Sequence, residues 1–108
     1  MTYTLAPVQG PRESEWMSRV ASDAAAHIGG LMAEQRKRHG MTQDQIAVLS
    51  GIDSSNVRAY EGGRSMPNVQ SLVRIAKALG VKPGVLLEGV EPEMFVAAAD
   101  DGRRRRSS

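Results

Sequence analysis

Apolar positions recur at helical spacing along most of this chain, and glycines interrupt them at short intervals. Val69, Leu72, Val73, Ala76 and Leu79 form one stripe of 3.6-residue period, which predicts an amphipathic helix over Val69–Leu79. Asn68, just after Pro67, is its N-cap, and Gly80 ends it. Upstream, Thr42 with Gln45 three positions on makes a capping box for a short helix over Gln43–Ser50, which Gly51 breaks. Asp53 is the next N-cap, for a helix over Ser54–Glu61 that ends at Gly62-Gly63. An earlier helix is expected from about Asp23 to Arg38, stopping at Gly40, with Arg36, Lys37, Arg38 and His39 gathered where cations suit the helix dipole. Gly29 and Gly30 lie inside it and weaken it by about 1 kcal/mol each relative to Ala, so a close approach by a neighbouring helix is expected there. Pro83 opens a short fifth helix to about Leu87, and Glu93–Ala99 has the pattern of one or two further turns.

The ends read differently. Residues 1–12 hold two Pro and one Gly without periodicity, as a flexible arm does. Residues 13–26 tolerate a helix throughout, and Trp16, Val20, Ala24 and Ile28 fall four apart on one face. That stripe packs onto the domain, or extends its first helix, or serves as a dimerisation helix that covers Trp16. Residues 90–108 are expected to be a mostly disordered tail. The division is therefore an N-terminal arm with helical extension (1–22), a helical domain (23–89) and a tail (90–108).

Composition narrows the class. Aromatics make up 4% of the 108 residues, so the core must be aliphatic, which suits short helices. Cysteine is absent, which excludes disulfides and thiolate metal sites. His27 and His39 lie twelve apart without supporting carboxylates, so neither a metal nor another cofactor is expected. No nucleophile–base pairing and no phosphate-cradling glycine loop is present, and the expectation is a non-enzyme. The opening residues lack a signal-peptide pattern and no apolar run approaches a membrane span, so a cytoplasmic, nucleoid-associated protein is expected. The net charge is +2, and it resides in residues 23–89. Local placement of cations, not the total, decides affinity for nucleic acid. Arg103–Arg106 is read either as a polybasic arm adding nonspecific phosphate contacts or as a solvated end.

Two short helices joined by a three-residue glycine turn have the geometry of a helix-turn-helix. Ala47 is small enough for the helix crossing, Gly51 tolerates positive φ, and Ile46, Ile52 and Val57 anchor both helices. The second helix opens with Ser54, Ser55 and Asn56, short polar side chains suited to base edges in a major groove. Residues 28–87 resemble the Cro/C1-type (XRE) helix-turn-helix family. The resemblance rests on GMTQ at 40–43, Ile46-Ala47, Gly51-Ile52-Asp53, Glu61 with Gly63, and ALGV at 78–81. It implies an all-α, five-helix, lambda-repressor-like domain that binds double-stranded DNA, commonly as a dimer on a two-fold operator.

Carried onto these positions, the resemblance makes Gln43 a phosphate contact and places Ser54, Ser55 and Ala59 toward the bases. Asn56 and Arg58 flank that face, and Arg64 and Ser65 are placed for backbone contacts. Arg36 and Glu61 are expected to form a partly buried ion pair. Ile46, Ile52, Val57, Leu72, Ile75 and Leu86 read as core, Tyr60 as packed, and Arg74 with Lys77 as a solvated face. Two departures stand out. Gln35 occupies a position where the family is apolar, with Leu31 the substitute if the helix is rotated. Val48 and Leu49 are apolar where the family is polar, which marks either a protein-partner site or an ordinary exposed pair. The functional expectation is a repressor binding a palindromic operator as a homodimer. The alternative is an antitoxin, or another protein-interaction partner, that autoregulates through the same motif.

Overall fold

The computed structural model describes residues 20–96. Four α-helices, α1 (Asp23–Arg38), α2 (Gln43–Ser50), α3 (Ser54–Glu61) and α4 (Val69–Leu79), precede two 3-10 helices, Pro83–Leu87 and Pro92–Phe95. The described residues contain no strand. Local devices set the helix ends. Thr42 Oγ1 accepts from Gln45 N at 3.0 Å while Gln45 Oε1 accepts from Thr42 N at 2.8 Å, which closes the capping box. Asn68 Oδ1 accepts from Ser71 N at 2.7 Å.

Two expectations are corrected. The fifth helix is a 3-10 helix: Val85 N donates to Lys82 O, three residues back, at 2.9 Å, the tighter bonding that short connecting turns adopt. The N-terminal stripe does not run through into α1. Ser22 is extended and caps α1 by accepting from Ala25 N at 3.1 Å, so Val20 and Ala21 are not helical. Ala21 N instead donates to Gly63 O at 2.8 Å. Trp16, the arm and Arg103–Arg106 lie outside the described residues. Val69 and Val73, at the edge of the α4 stripe, are 77% and 44% exposed. α2 and the Pro83–Leu87 turn pack on α4 from one side. Only the arc carrying Leu72, Ile75, Ala76 and Leu79 is buried.

The core is aliphatic. Ile28 and Met32 of α1, Ile46 and Ala47 of α2, Ile52, Val57 of α3, the inner residues of α4 and Leu86 form one buried cluster, against which Leu31 and Tyr60 pack half-buried. Met32 and Leu31 hold the inner side of α1, and Gln35 is half-buried. α1 lies against α3, and Gly29 marks the crossing. A Cβ there would overlap the Tyr60 carbonyl oxygen and stand 2.8 Å from that of Glu61. The close approach expected of the glycine pair belongs to Gly29 alone, since a Cβ on Gly30 would meet open space.

Candidate nucleic-acid interface

α2 and α3 are held together through the turn between them. Gly51 adopts the left-handed conformation (φ 73°, ψ 23°), and its N–H and that of Ile52 both reach Ala47 O, at 2.9 and 3.2 Å. A side chain at Gly51 would be strained, so the turn requires glycine. Buried Ile52 follows and fixes the entry into α3. Asp53 occupies the N-cap of α3, yet its carboxylate caps nothing. Its Oδ2 faces the Ser55 hydroxyl at 3.4 Å instead.

Val57 is fully buried and pins α3 to the core, which fixes which side of this eight-residue helix faces outward. Ser55, Asn56 and Arg58 are exposed, and Ser54 and Ala59 are half-buried. Ser55 and Ala59 share a helix face by their spacing, as do Ser54 and Arg58. The chain then turns back, with Arg64 N and Ser65 N both directed at Ala59 O, at 3.0 and 3.4 Å. That bonding fixes the loop carrying exposed Arg64 and half-buried Ser65 to the end of α3. The residues named from the sequence therefore lie on α3, on the loop bonded to it, and at the start of α2.

One carboxylate ties these elements together. Glu61 Oε2 accepts from Arg36 Nε at 2.7 Å, and Oε1 accepts from Arg36 Nη2 at 3.0 Å. The pair is bidentate, and the two side chains are only 14% and 7% exposed. Arg36 Nη1 also donates to Met41 O at 2.9 Å, so one guanidinium spans the α1–α2 turn and the end of α3. Its pKa is raised above the ordinary arginine value, first by the hydrogen bond to Glu61 and then by that charge, against desolvation, which lowers it. Gln43 Nε2 donates to Glu61 Oε1 at 3.0 Å. The Gln43 amide has two N–H groups, so this bond fixes its orientation and leaves one donor.

A second link was not visible in the sequence. Arg58 Nη2 donates to Asp44 Oδ1 at 3.0 Å, bridging α3 and α2 across solvent. The partners are 14 residues apart, and no helical periodicity connects them. His27 Nε2 lies 2.6 Å from Glu88 O and His39 Nδ1 lies 2.8 Å from Gln35 O, so each ring must donate a proton to a backbone carbonyl. No group of side chains able to hold a metal ion is found among the described residues. No helix among them is long and apolar enough to cross a membrane.

The comparisons with known proteins agree with this geometry. Residues 32–86, half of the chain, match the helix-turn-helix family model HTH_3. Multiprotein-bridging factor 1 of Eremothecium gossypii is 38% identical over 55 residues, covering 51% of this chain and 36% of that protein. The cryptic phage CTXphi transcriptional repressor RstR of Vibrio cholerae is 40% identical over 50 residues, covering 46% and 45%. The chain thus matches less than half the length of either relative. The restriction-modification controller protein C.AhdI of Aeromonas hydrophila superposes with a TM-score of 0.56 at 31% identity, covering 57% of this chain and 94% of that one. Family model and fold coincide on the glycine turn and its two helices, and this chain belongs to the Cro/C1-type (XRE) helix-turn-helix family of DNA-binding regulators.

Proposed function

We propose that the protein is a transcriptional repressor that occupies a palindromic operator as a homodimer. The observation that carries the reading is the disposition of α3: Val57 fully buried, with Ser55, Asn56 and Arg58 facing solvent. In this role α3 enters the major groove and Ser54, Ser55 and Ala59 face base edges. Serine hydroxyls donate or accept, and the Ala59 methyl suits a thymine methyl. Asn56 and Arg58 flank that face. Gln43 directs its remaining amide donor at a phosphate, helped by the N–H groups that open α2. Arg64 and Ser65 add backbone contacts that set register.

Two observations favour the finer parts. Exposed Val69 and Val73 lie four apart on α4, an apolar edge that a second copy would cover. The Vibrio cholerae relative is described as a repressor. Half-sites then lie about 34 Å apart, one helical turn. The reading face consists largely of short side chains, so DNA shape and dimer spacing supply much of the specificity. The test is selection of duplexes from a randomised pool, followed by footprinting with wild-type protein and with a Ser55→Ala, Arg58→Ala double variant. The wild type protects two symmetric half-sites, and the double variant loses specific affinity at least tenfold. Undiminished specific binding by the double variant refutes the assignment of α3.

A further inference from the structure

The bond between Asp44 and Arg58 has no role in the reading above. It is poorly suited to a structural one, because the two side chains are 70% and 46% exposed and a pair this open to water contributes little to folding. Its location is informative. Asp44 lies in the first turn of α2, one residue after Gln43. A carboxylate there stands beside the position proposed to face phosphate, where negative charge repels the ligand. Arg58 projects from the middle of α3 and donates one Nη2 hydrogen to Asp44 Oδ1 at 3.0 Å. The guanidinium has five N–H donors, so the remaining ones are open to another acceptor.

We infer that Asp44 is a specificity-determining partner of Arg58: it holds the α3 guanidinium away from indiscriminate phosphate contact and presents its remaining donors to a base edge. The inference rests on α3 being the DNA-reading helix. A free arginine on that helix would attach to any phosphate within reach and add affinity for every sequence equally. The Asp44–Arg58 pair as a whole carries no net charge toward distant phosphates. The guanidinium is also held on a short tether, so less rotamer freedom is lost when it meets a guanine edge, whose O6 and N7 accept bidentately. Asp44 is in this sense a positioning residue that acts through Arg58.

The test measures binding to two probes, a duplex selected by wild-type protein from a randomised pool and a scrambled duplex of the same length, across a salt series. Asp44→Asn frees Arg58 for one more phosphate. Binding to the scrambled duplex then steepens by about 0.9 in log K against log salt, and tightens about eightfold per protomer near 0.1 M salt. The ratio of selected to scrambled affinity falls correspondingly. In an Arg58→Ala background the same Asp44→Asn change leaves slope and ratio unaltered. Thermal unfolding confirms that each variant is folded, which the exposure of both side chains favours. An unchanged slope and ratio in Asp44→Asn overturns the inference while leaving the DNA reading intact. An equal gain in the Arg58→Ala background also overturns it, since Asp44 would then act as a plain repulsive charge. Failure of the wild-type protein to enrich any duplex overturns the DNA reading, and this inference with it.

Discussion

Replacing each of the adjacent glycines of α1 with alanine, in turn, separates helix propensity from packing. Each replacement gains about 1 kcal/mol of propensity, because Gly is that much worse than Ala inside a helix. At Gly30 nothing opposes the gain, since the added methyl meets open space. Gly30→Ala therefore stabilises the domain by about 0.5–1 kcal/mol. At Gly29 the methyl overlaps the Tyr60 carbonyl oxygen and stands 2.8 Å from that of Glu61. Both obstacles are backbone, so relief requires α1 and α3 to separate, in a core where even modest overpacking costs about 1–3 kcal/mol. The separation also stretches the Arg36–Glu61 pair, whose carboxylate is bonded at 2.7 and 3.0 Å. Losing that geometry adds at least another 1 kcal/mol or so. The net expectation for Gly29→Ala is a loss of about 2 kcal/mol, or roughly 8–16 °C in Tm for a domain this small. Urea unfolding of the two variants beside wild type, with a common m-value, measures the contrast. Equal stability of the two variants, or a Gly29→Ala protein at least as stable as wild type, refutes the close-approach argument.

Other substitutions probe the interface and its supports. Glu61→Ala strands the Arg36 guanidinium and releases Gln43, so it destabilises the fold by about 3 kcal/mol, readable as a lowered urea midpoint. The raised folded-state pKa of Arg36 fixes the sign of its pH dependence. Its stabilisation is complete below the unfolded value and lost only as pH rises through the folded one, in strong alkali. Arg36 accordingly adds no slope to stability between about pH 6 and pH 9, and a decline there that Glu61→Ala abolishes would contradict the assignment. Asn68→Ala, which removes a formed cap bond, costs about 1 kcal/mol, whereas Asp53→Ala, which removes none, costs a few tenths; equal losses by calorimetry would count against the cap geometry. Val48 and Leu49 are 81% and 62% exposed, so Val48→Lys and Leu49→Lys each shift stability by no more than about 0.5 kcal/mol, and a larger loss in chemical denaturation would show that they are packed.

Most of the fold was legible because the chain punctuates itself locally. Thr42 with Gln45, Gly51, Asn68 and Gly80 act within four residues of themselves, and the helices end where these residues say they must. Periodicity misled where tertiary choice decides. The four-residue spacing of Trp16, Val20, Ala24 and Ile28 continues smoothly through Ser22, yet Ser22 has an extended backbone and starts a helix there. Val69 and Val73 belong to the apolar stripe of α4, but which edge of a stripe is buried depends on the partners that cover it, α2 and the Pro83–Leu87 turn. The interface divides in the same way. The exposed residues of α3 follow from the helix register and the buried Val57. The bonds that orient them do not, because Gln43–Glu61 spans 18 residues and Arg58–Asp44 spans 14. The family resemblance anticipated Arg36–Glu61, but no feature of the sequence pointed to Asp44.

The bond from Ala21 N to Gly63 O, at 2.8 Å, has a practical use. Gly63 follows the last residue of α3 by two positions and immediately precedes Arg64. Val20 and Ala21 thus sit beside the end of α3, the helix proposed to read DNA. A fluorophore or fused domain attached there starts from a point fixed to the end of α3. With an acceptor dye on one DNA strand, the separation between the two would report whether that helix enters the groove, and how deeply. A shortened chain beginning after Ala21 would give up this fixed origin while keeping every residue named in the interface.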